Sequence, residues 1–158
     1  MDYEETQYGF FVIIVFVLII IFMFLAYSGQ WGTRPITKVP FLIMSGFFIF
    51  ILVLFYKLNI KIKENQIKIT YGIGLIRIRI RPEKVFDLET FRVPWYWGMG
   101  IRLTPKGWLY SLNSFKAVII KYGIKGKIKK ILIGTPDPEQ LKSAIEHYFS
   151  SITEKDRF

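Results

Sequence analysis

Two apolar runs, Phe10–Ala26 and Phe41–Tyr56, limit what this chain can fold into more than any other feature. Neither contains a charged residue, and the whole stretch Thr6–Thr33 lacks Asp, Glu, Lys and Arg. At about 1.5 Å of rise per residue, the first run covers roughly 26 Å as a helix, close to the thickness of a bilayer's hydrocarbon core. Tyr8, Tyr27 and Tyr56 stand where headgroups would begin. Only a helix satisfies its own backbone in hydrocarbon, so each run reads as a membrane-spanning helix. A core helix of a soluble protein keeps a polar stripe, and these runs have none.

The connection Ser28–Pro40 carries Gly29, Gly32, Pro35 and Pro40, so the chain turns back and the spans, about 9–27 and 40–56, form a hairpin. Met1-Asp2-Tyr3-Glu4-Glu5 is acidic where a cleaved leader would be basic. Two spans leave both termini on one side. The loop holds Arg34 and Lys38, whereas Lys57, Lys61, Lys63 and Lys68 follow the second span. Four cations against two predict that the termini and the following domain are cytoplasmic, in a multi-pass protein of the inner, cytoplasmic membrane. Ser45-Gly46 is the small pair expected to let the helices approach closely. No ionisable residue lies inside either run, which argues against a proton or ion path through the hairpin alone.

Residues 1–56 are thus read as an amino-terminal tail plus hairpin, and residues 57–158 as one compact domain. That domain holds 20 Lys and Arg against 9 Asp and Glu. A basic domain tied to a bilayer has the anionic lipid surface as its nearest partner, ahead of nucleic acid, which is not expected. The absence of cysteine excludes disulfides, thiolate metal sites and cysteine nucleophiles.

From Leu58 the hydrophobic period becomes two. Leu58, Ile60 and Ile62 alternate with polar residues, as do Ile67, Ile69 and Tyr71, and then Ile76, Ile78 and Ile80. Glu64-Asn65 and Gly72-Ile73-Gly74 supply turns, and Pro82-Glu83-Lys84 precedes a fourth strand near Val85–Phe91. Short sequential strands with tight turns predict an antiparallel meander. A second set is expected at Gly100–Thr104, Trp108–Leu112, Lys116–Tyr122 and Lys127–Ile133, the last two joined by Gly123-Ile124-Lys125-Gly126. Ile128 is out of phase with Ile131 and Ile133, so a bulge or irregular edge is expected there. Asp137 is placed to cap a helix over about 138–152, with Pro138 first and Gln140 able to reach back. Leu141, Ala144, Ile145, Tyr148 and Ile152 form its apolar stripe. The implied fold class is a membrane α-hairpin followed by a mainly-β domain. In that domain a partly open antiparallel barrel of seven or eight strands is capped by a carboxy-terminal helix.

Trp97-Gly98-Met99-Gly100-Ile101-Arg102, Lys106-Gly107-Trp108-Leu109-Tyr110 and Ile133–Leu141 resemble, in order, the bacterial pleckstrin-homology-like domain in its small membrane-anchored form. The resemblance covers about Trp97–Ile145. It implies two packed antiparallel sheets with a carboxy-terminal helix, and it brings no agreed catalytic residues. Relatives often have a glycine where this chain reads Ser111-Leu112-Asn113-Ser114, a local departure in one turn.

Catalysis finds little support in the residues. His147, the one histidine, falls on the polar flank of the last helix, with no second His or Cys to share a metal. Gly72-Ile73-Gly74 and Gly98-Met99-Gly100 lack the third glycine and the helix that phosphate binding needs. No cofactor or metal is implied, and the chain reads as non-enzymatic.

The cations say more. Lys61, Lys63, Lys68, Arg77, Arg79 and Arg81 share the outward phase of three consecutive strands, where like charges repel unless compensated. Asp87 and Glu89 are the expected internal partners of the arginines, and anionic headgroups the external ones. Trp95, Tyr96 and Trp97 are read either as packing between the sheets or as an interface anchor or docking surface. The expected function is an interaction or assembly module at the membrane surface, with a protein partner or self-assembly into a homo-oligomer. Binding of anionic headgroups by the basic sheet is the second reading, and an accessory subunit of a transporter or envelope-stress complex the third.

Overall fold

The computed structural model describes residues 3–97 and 100–155, with side chains as far as Phe149. The two apolar runs are helices, α1 (Phe10–Ser28) and α2 (Lys38–Phe55), both long and apolar enough to cross a membrane. They lie side by side, with Phe16 edge-on to Phe48 and Tyr27 stacked on Phe41. The rest of the chain leaves their outer faces largely uncovered. Ser45 is buried, whereas a Cβ on Gly46 would meet nothing within 4 Å, so the close approach expected of this pair belongs to Ser45 alone.

A strand that the sequence reading left inside the acidic tail precedes the hairpin. β1 (Tyr3–Tyr8) pairs antiparallel with β2 (Lys57–Lys63), from Tyr8 opposite Lys57 to Tyr3 opposite Ile62. β3 (Gln66–Tyr71) and β4 (Ile76–Ile80) complete a four-stranded sheet in chain order. Glu64 and Asn65 both adopt positive φ, the backbone of a two-residue turn whose twist suits a hairpin. Leu58, Ile60, Ile62, Ile67, Ile69 and Tyr71 are fully buried on the inner face, as the alternation predicts.

The fourth strand departs from the expected meander. β5 (Lys84–Arg92) leaves the first sheet and pairs with β8 (Lys116–Ile124) in a five-stranded sheet. β9 (Lys127–Gly134), β7 (Gly107–Ser111) and β6 (Gly100–Thr104) follow, giving the order β5-β8-β9-β7-β6. Two things redirect β5. Pro82 can donate no ladder hydrogen bond beside Ile80, and Asp87 finds Lys121 opposite it on β8. β7 and β9 run parallel over Trp108–Tyr110, which corrects the expectation of wholly antiparallel sheets. The register of β8 against β9 is unbroken past Ile128, so no bulge lies there. The irregularity sits instead between Val85 and Asp87, where the ring of Phe86 lies against Gly123.

α3 (Pro138–Lys155) starts as read, with the Gln140 amide donating to the Asp137 carboxylate at 3.2 Å. It packs on β5, β8 and β2 through Leu141, Ile145 and Phe149. The side chain of Ile152 lies outside the described residues. Between the sheets a core of Ile60, Ile62, Ile69, Val118, Ile120, Ile131 and Ile133 forms, while Val93, Leu109, Ala117, Ile119 and Leu132 make a second, smaller core on the far face of the five-stranded sheet.

Inward-facing side chains of β1 tie the sheets together. Gln7 donates to the Gly134 carbonyl at 2.8 Å and to Glu5 at 2.6 Å, while Thr135 and Tyr3 donate to the other Glu5 oxygen. Burial, the Tyr3–Glu5 hydrogen bond and the Glu5 charge hold the Tyr3 phenol well above its ordinary pKa. The hairpin therefore enters and leaves the domain through two adjacent, paired strands. The Gly9 amide, donating to Tyr56 at 2.9 Å, closes that junction.

Candidate cationic face

The strand register turns the list of sequence cations into a map. Residues directly opposite one another across the four-stranded sheet form rungs, and alternate rungs share a face. Starting at the hairpin, the outer face holds Tyr8 and Lys57, then Thr6, Asn59, Thr70 and Arg77. The third rung is Glu4, Lys61, Lys68 and Arg79, and the fourth holds Lys63 and Gln66, with Arg81 one residue beyond Ile80. Rungs on one face are about 7 Å apart, so Lys63 lies about 20 Å from Lys57 along the strand.

The six predicted cations are thus on one face, but they are not equivalent. Lys61 is the central cation of the third rung and carries a carboxylate, Glu4, at 2.8 Å. Hydrogen bonds from Lys61 and then Asn59 hold the Glu4 carboxyl below its ordinary pKa. Among the described residues, no carboxylate lies within ion-pair distance of Lys68, Arg77, Arg79 or Arg81. Asp87 and Glu89, expected to serve the arginines, are elsewhere: both accept from Lys121 on β8, at 2.5 and 3.2 Å. The Lys121 hydrogen bond lowers the pKa of Asp87, and Asp87 in turn raises that of Lys121. The cause is topological, because the strand that carries these acids joined the other sheet.

A shallow groove of about 590 Å³ runs across the hairpin end of this face, lined by Lys57, Lys61, Lys68 and Arg77 together with Glu4 and Ile73. Arg77 donates from Nε to the Gly74 carbonyl at 2.6 Å, which aims its guanidinium over the β3–β4 turn. Lys57 belongs to this group although its sequence position marked it only as a cation flanking the span. The signal that could have found it is its phase, shared with Asn59 and Lys61.

The aromatic triplet divides. Trp95–Trp97 form one turn of 3-10 helix, in which Trp97 packs on Phe91 with ring centroids 5.5 Å apart. Trp95 and Tyr96 remain 79% and 66% exposed. Gly98 and Met99 lie outside the described residues, but Gly100, Ile101 and Leu112 border α1 and α2 at Val12, Phe16, Ile51 and Phe55. Three residues of chain span at most about 11 Å, so Trp97 stays within that distance of Gly100.

His147 is exposed on α3, its ring edge-on to Tyr148, and no cluster of three or more His, Cys, Asp or Glu is placed to hold a metal among the described residues. The Gly123–Gly126 segment joins two strands, so it is a hairpin turn rather than a helix-joining nucleic-acid loop. Set against known protein families, curated proteins and solved structures, the chain matches none.

Proposed function

We propose that this chain is a membrane-anchored, non-catalytic module that uses the cationic face of its four-stranded sheet to engage the anionic surface of the bilayer holding it. The observation that carries the reading is the pairing of Tyr8 with Lys57. Helices α1 and α2 span the membrane in this proposal. The strands that continue them then put Lys57 and Arg77 at headgroup level without any linker. Each cation near an anionic surface contributes roughly 1 kcal/mol of attraction, and the effect fades over a Debye length of about 8 Å. Positive flanks after the second span favour a cytoplasmic domain, where the leaflet is anionic. Two packed sheets with a carboxy-terminal helix support the pleckstrin-like reading of the domain. The parallel β7–β9 pair and the strand before the hairpin are its departures from that pattern.

The test uses the full chain in nanodiscs of neutral lipid and of lipid mixed with an anionic species. Amide hydrogen exchange over Thr70–Arg79 is expected to slow in the anionic discs, and the slowing is expected to vanish with Lys57→Gln plus Arg77→Gln or at high salt. Equal exchange in both lipids would refute the reading.

A second reading rests on the third rung. Lys68 and Arg79 stand about two rungs, or about 14 Å, from Lys57, beyond one Debye length from the headgroups. An acidic protein partner, or a second copy, would be their natural counterpart. Crosslinking at Lys68 in native membranes tests this, and adducts to lipid alone would count against a protein partner.

A further inference from the structure

The turn between β3 and β4 reads Gly72-Ile73-Gly74-Leu75, and its two apolar side chains are 63% and 61% exposed. Isolated exposed apolar residues are ordinary on a protein surface. This pair differs in where the register puts it. Tyr71 opposes Leu58, the Gly72 amide donates to the Lys57 carbonyl at 2.7 Å, and the next step brings Ile73 level with Tyr56. Gly72 lies so close to the last turn of α2 that a Cβ on it would collide with the carbonyl oxygens of Val53 and Leu54. The turn therefore abuts the final stretch of the second apolar run, one residue before the first cation, Lys57.

From this placement we infer that the Gly72–Leu75 turn is a third membrane contact, inserting Ile73 and Leu75 at the boundary of headgroups and acyl chains beside α2. The inference rests on the spanning hairpin proposed above, but not on the charge of the lipid. The turn is built to hold that shape. Gly72 and Gly74 have φ of +55° and +94°, the Gly74 amide donates to the Tyr71 carbonyl at 2.9 Å, and Arg77 grips the Gly74 carbonyl from the outer face. Both apolar side chains are thereby held off the core, and the guanidinium that braces them stands where a lipid phosphate would lie. Glycine is required at Gly72 twice over, for its positive φ and for the helix carbonyls against it.

The mechanical consequence concerns rocking. α1, α2 and this turn leave the sheet through β1, β2 and the β3–β4 link, neighbouring positions at one end of its strands. A third contact at that end stops the sheet from swinging sideways in its own plane, and so keeps Lys57 and Arg77 at a fixed depth.

The natural chain has no cysteine, which makes the experiment direct. Ile73→Cys, Leu75→Cys and Ile128→Cys are each spin-labelled in the full chain and reconstituted in vesicles of phosphatidylcholine alone. Ile128 is 68% exposed and lies six residues along β9 from Gly134, the residue bonded to Gln7 near the hairpin. Labels at 73 and 75 are expected to show an oxygen-to-nickel collision ratio several-fold above that at 128. Equal ratios would overturn the inference. Neutral lipid removes the electrostatic attraction, so failure of the charge reading leaves this result standing. A labelled protein can misfold, so the unmodified chain is also irradiated with a lipid bearing a photoactivatable acyl chain. Adducts on the peptide around residues 72–76 are expected, and adducts confined to residues 10–55 would overturn the inference independently.

Discussion

The four-stranded and five-stranded sheets both carry a surplus of positive charge, and they differ in where their acids are placed. In the five-stranded sheet, β5 brings Asp87 and Glu89 beside Lys121, so that patch is neutralised within the fold. In the four-stranded sheet, Lys68 and Arg79 face each other across neighbouring strands, while Glu4 pairs with Lys61 and accepts from Asn59. Like charges opposite one another cost stability, and a chain that had Asp87 and Glu89 to hand spent them on the other sheet. The outer face continuous with the hairpin therefore keeps Lys68, Arg77 and Arg79 without a carboxylate partner among the described residues.

The sharpest way to break this contrast is to remove β1. A fragment beginning at Lys57 loses the Gln7 and Glu5 bonds to Gly134 and Thr135 and exposes the whole edge of β2. Each buried partner left unsatisfied costs about 1–3 kcal/mol, and such a fragment is expected to melt without a cooperative transition. Joining Tyr3–Tyr8 to Lys57 through a two-residue Asn-Gly turn should restore cooperative melting, because Tyr8 and Lys57 already sit opposite each other. Calorimetry of the two soluble proteins decides it: equal transitions would mean that the first sheet stands without its amino-terminal strand.

Next in size is a pair of glycines, one in each sheet. Gly72 and Gly126 share the left-handed backbone, with φ of +55° and +72°, but a Cβ on Gly126 would meet open space. Gly126→Ala is expected to cost about 1 kcal/mol, from backbone strain alone. Gly72→Ala adds overpacking against Val53 and Leu54, for about 2–4 kcal/mol in all. Thermal melts in detergent that gave equal losses would show that the turn does not lean on α2.

That same contrast explains what could be read in advance. The first sheet was legible because its strands β2, β3 and β4 are joined in order by tight turns, and alternation at Leu58–Ile62, Ile67–Tyr71 and Ile76–Ile80 fixes each face. β1 was not, because Tyr-Glu-Glu-Thr-Gln-Tyr shows no apolar alternation. Its inward residues Glu5 and Gln7 are held by hydrogen bonds across 127 or more residues of chain, with Tyr3 bonded to Glu5, which no local pattern encodes. The departure of β5 was equally hidden, since a strand's partner depends on the opposing Lys121 and not on its own composition. For the site, the phase of the six cations was visible in the sequence. Their graded distance from the hairpin, and the assignment of Asp87 and Glu89 elsewhere, needed the register.

Gradation gives a smaller effect. If headgroups are the ligand, Arg77→Gln should weaken the preference for anionic lipid by roughly 1 kcal/mol, and Arg81→Gln, two rungs further out, by a small fraction of that. The retention of anionic lipid by the purified full chain, read by native mass spectrometry, measures both. Equal effects would mean that the sheet lies flat on the bilayer rather than rising from it.

The smallest effect falls in the five-stranded sheet and is seen through pH. Lys121 holds the Asp87 carboxyl below its ordinary value by a hydrogen bond, so Asp87 binds a proton less readily in the folded chain than in the unfolded one. Its contribution is present above the unfolded carboxylate range, near pH 3.9, and is lost as pH falls through the lower folded value. Lys121 is shifted the other way, so its share is complete below the unfolded lysine range and is lost only as pH rises beyond it. Lys121→Gln should therefore lower the melting temperature slightly at neutral pH, and the gap from the natural chain should narrow as the pH falls below the unfolded carboxylate range. High salt should narrow it as well, because Asp87 and Glu89 are exposed enough for screening to act on them. A gap that did not narrow at all with falling pH would assign the role of Lys121 to packing of its aliphatic stem. The two sheets would then differ in their acids but not in how their charge is held.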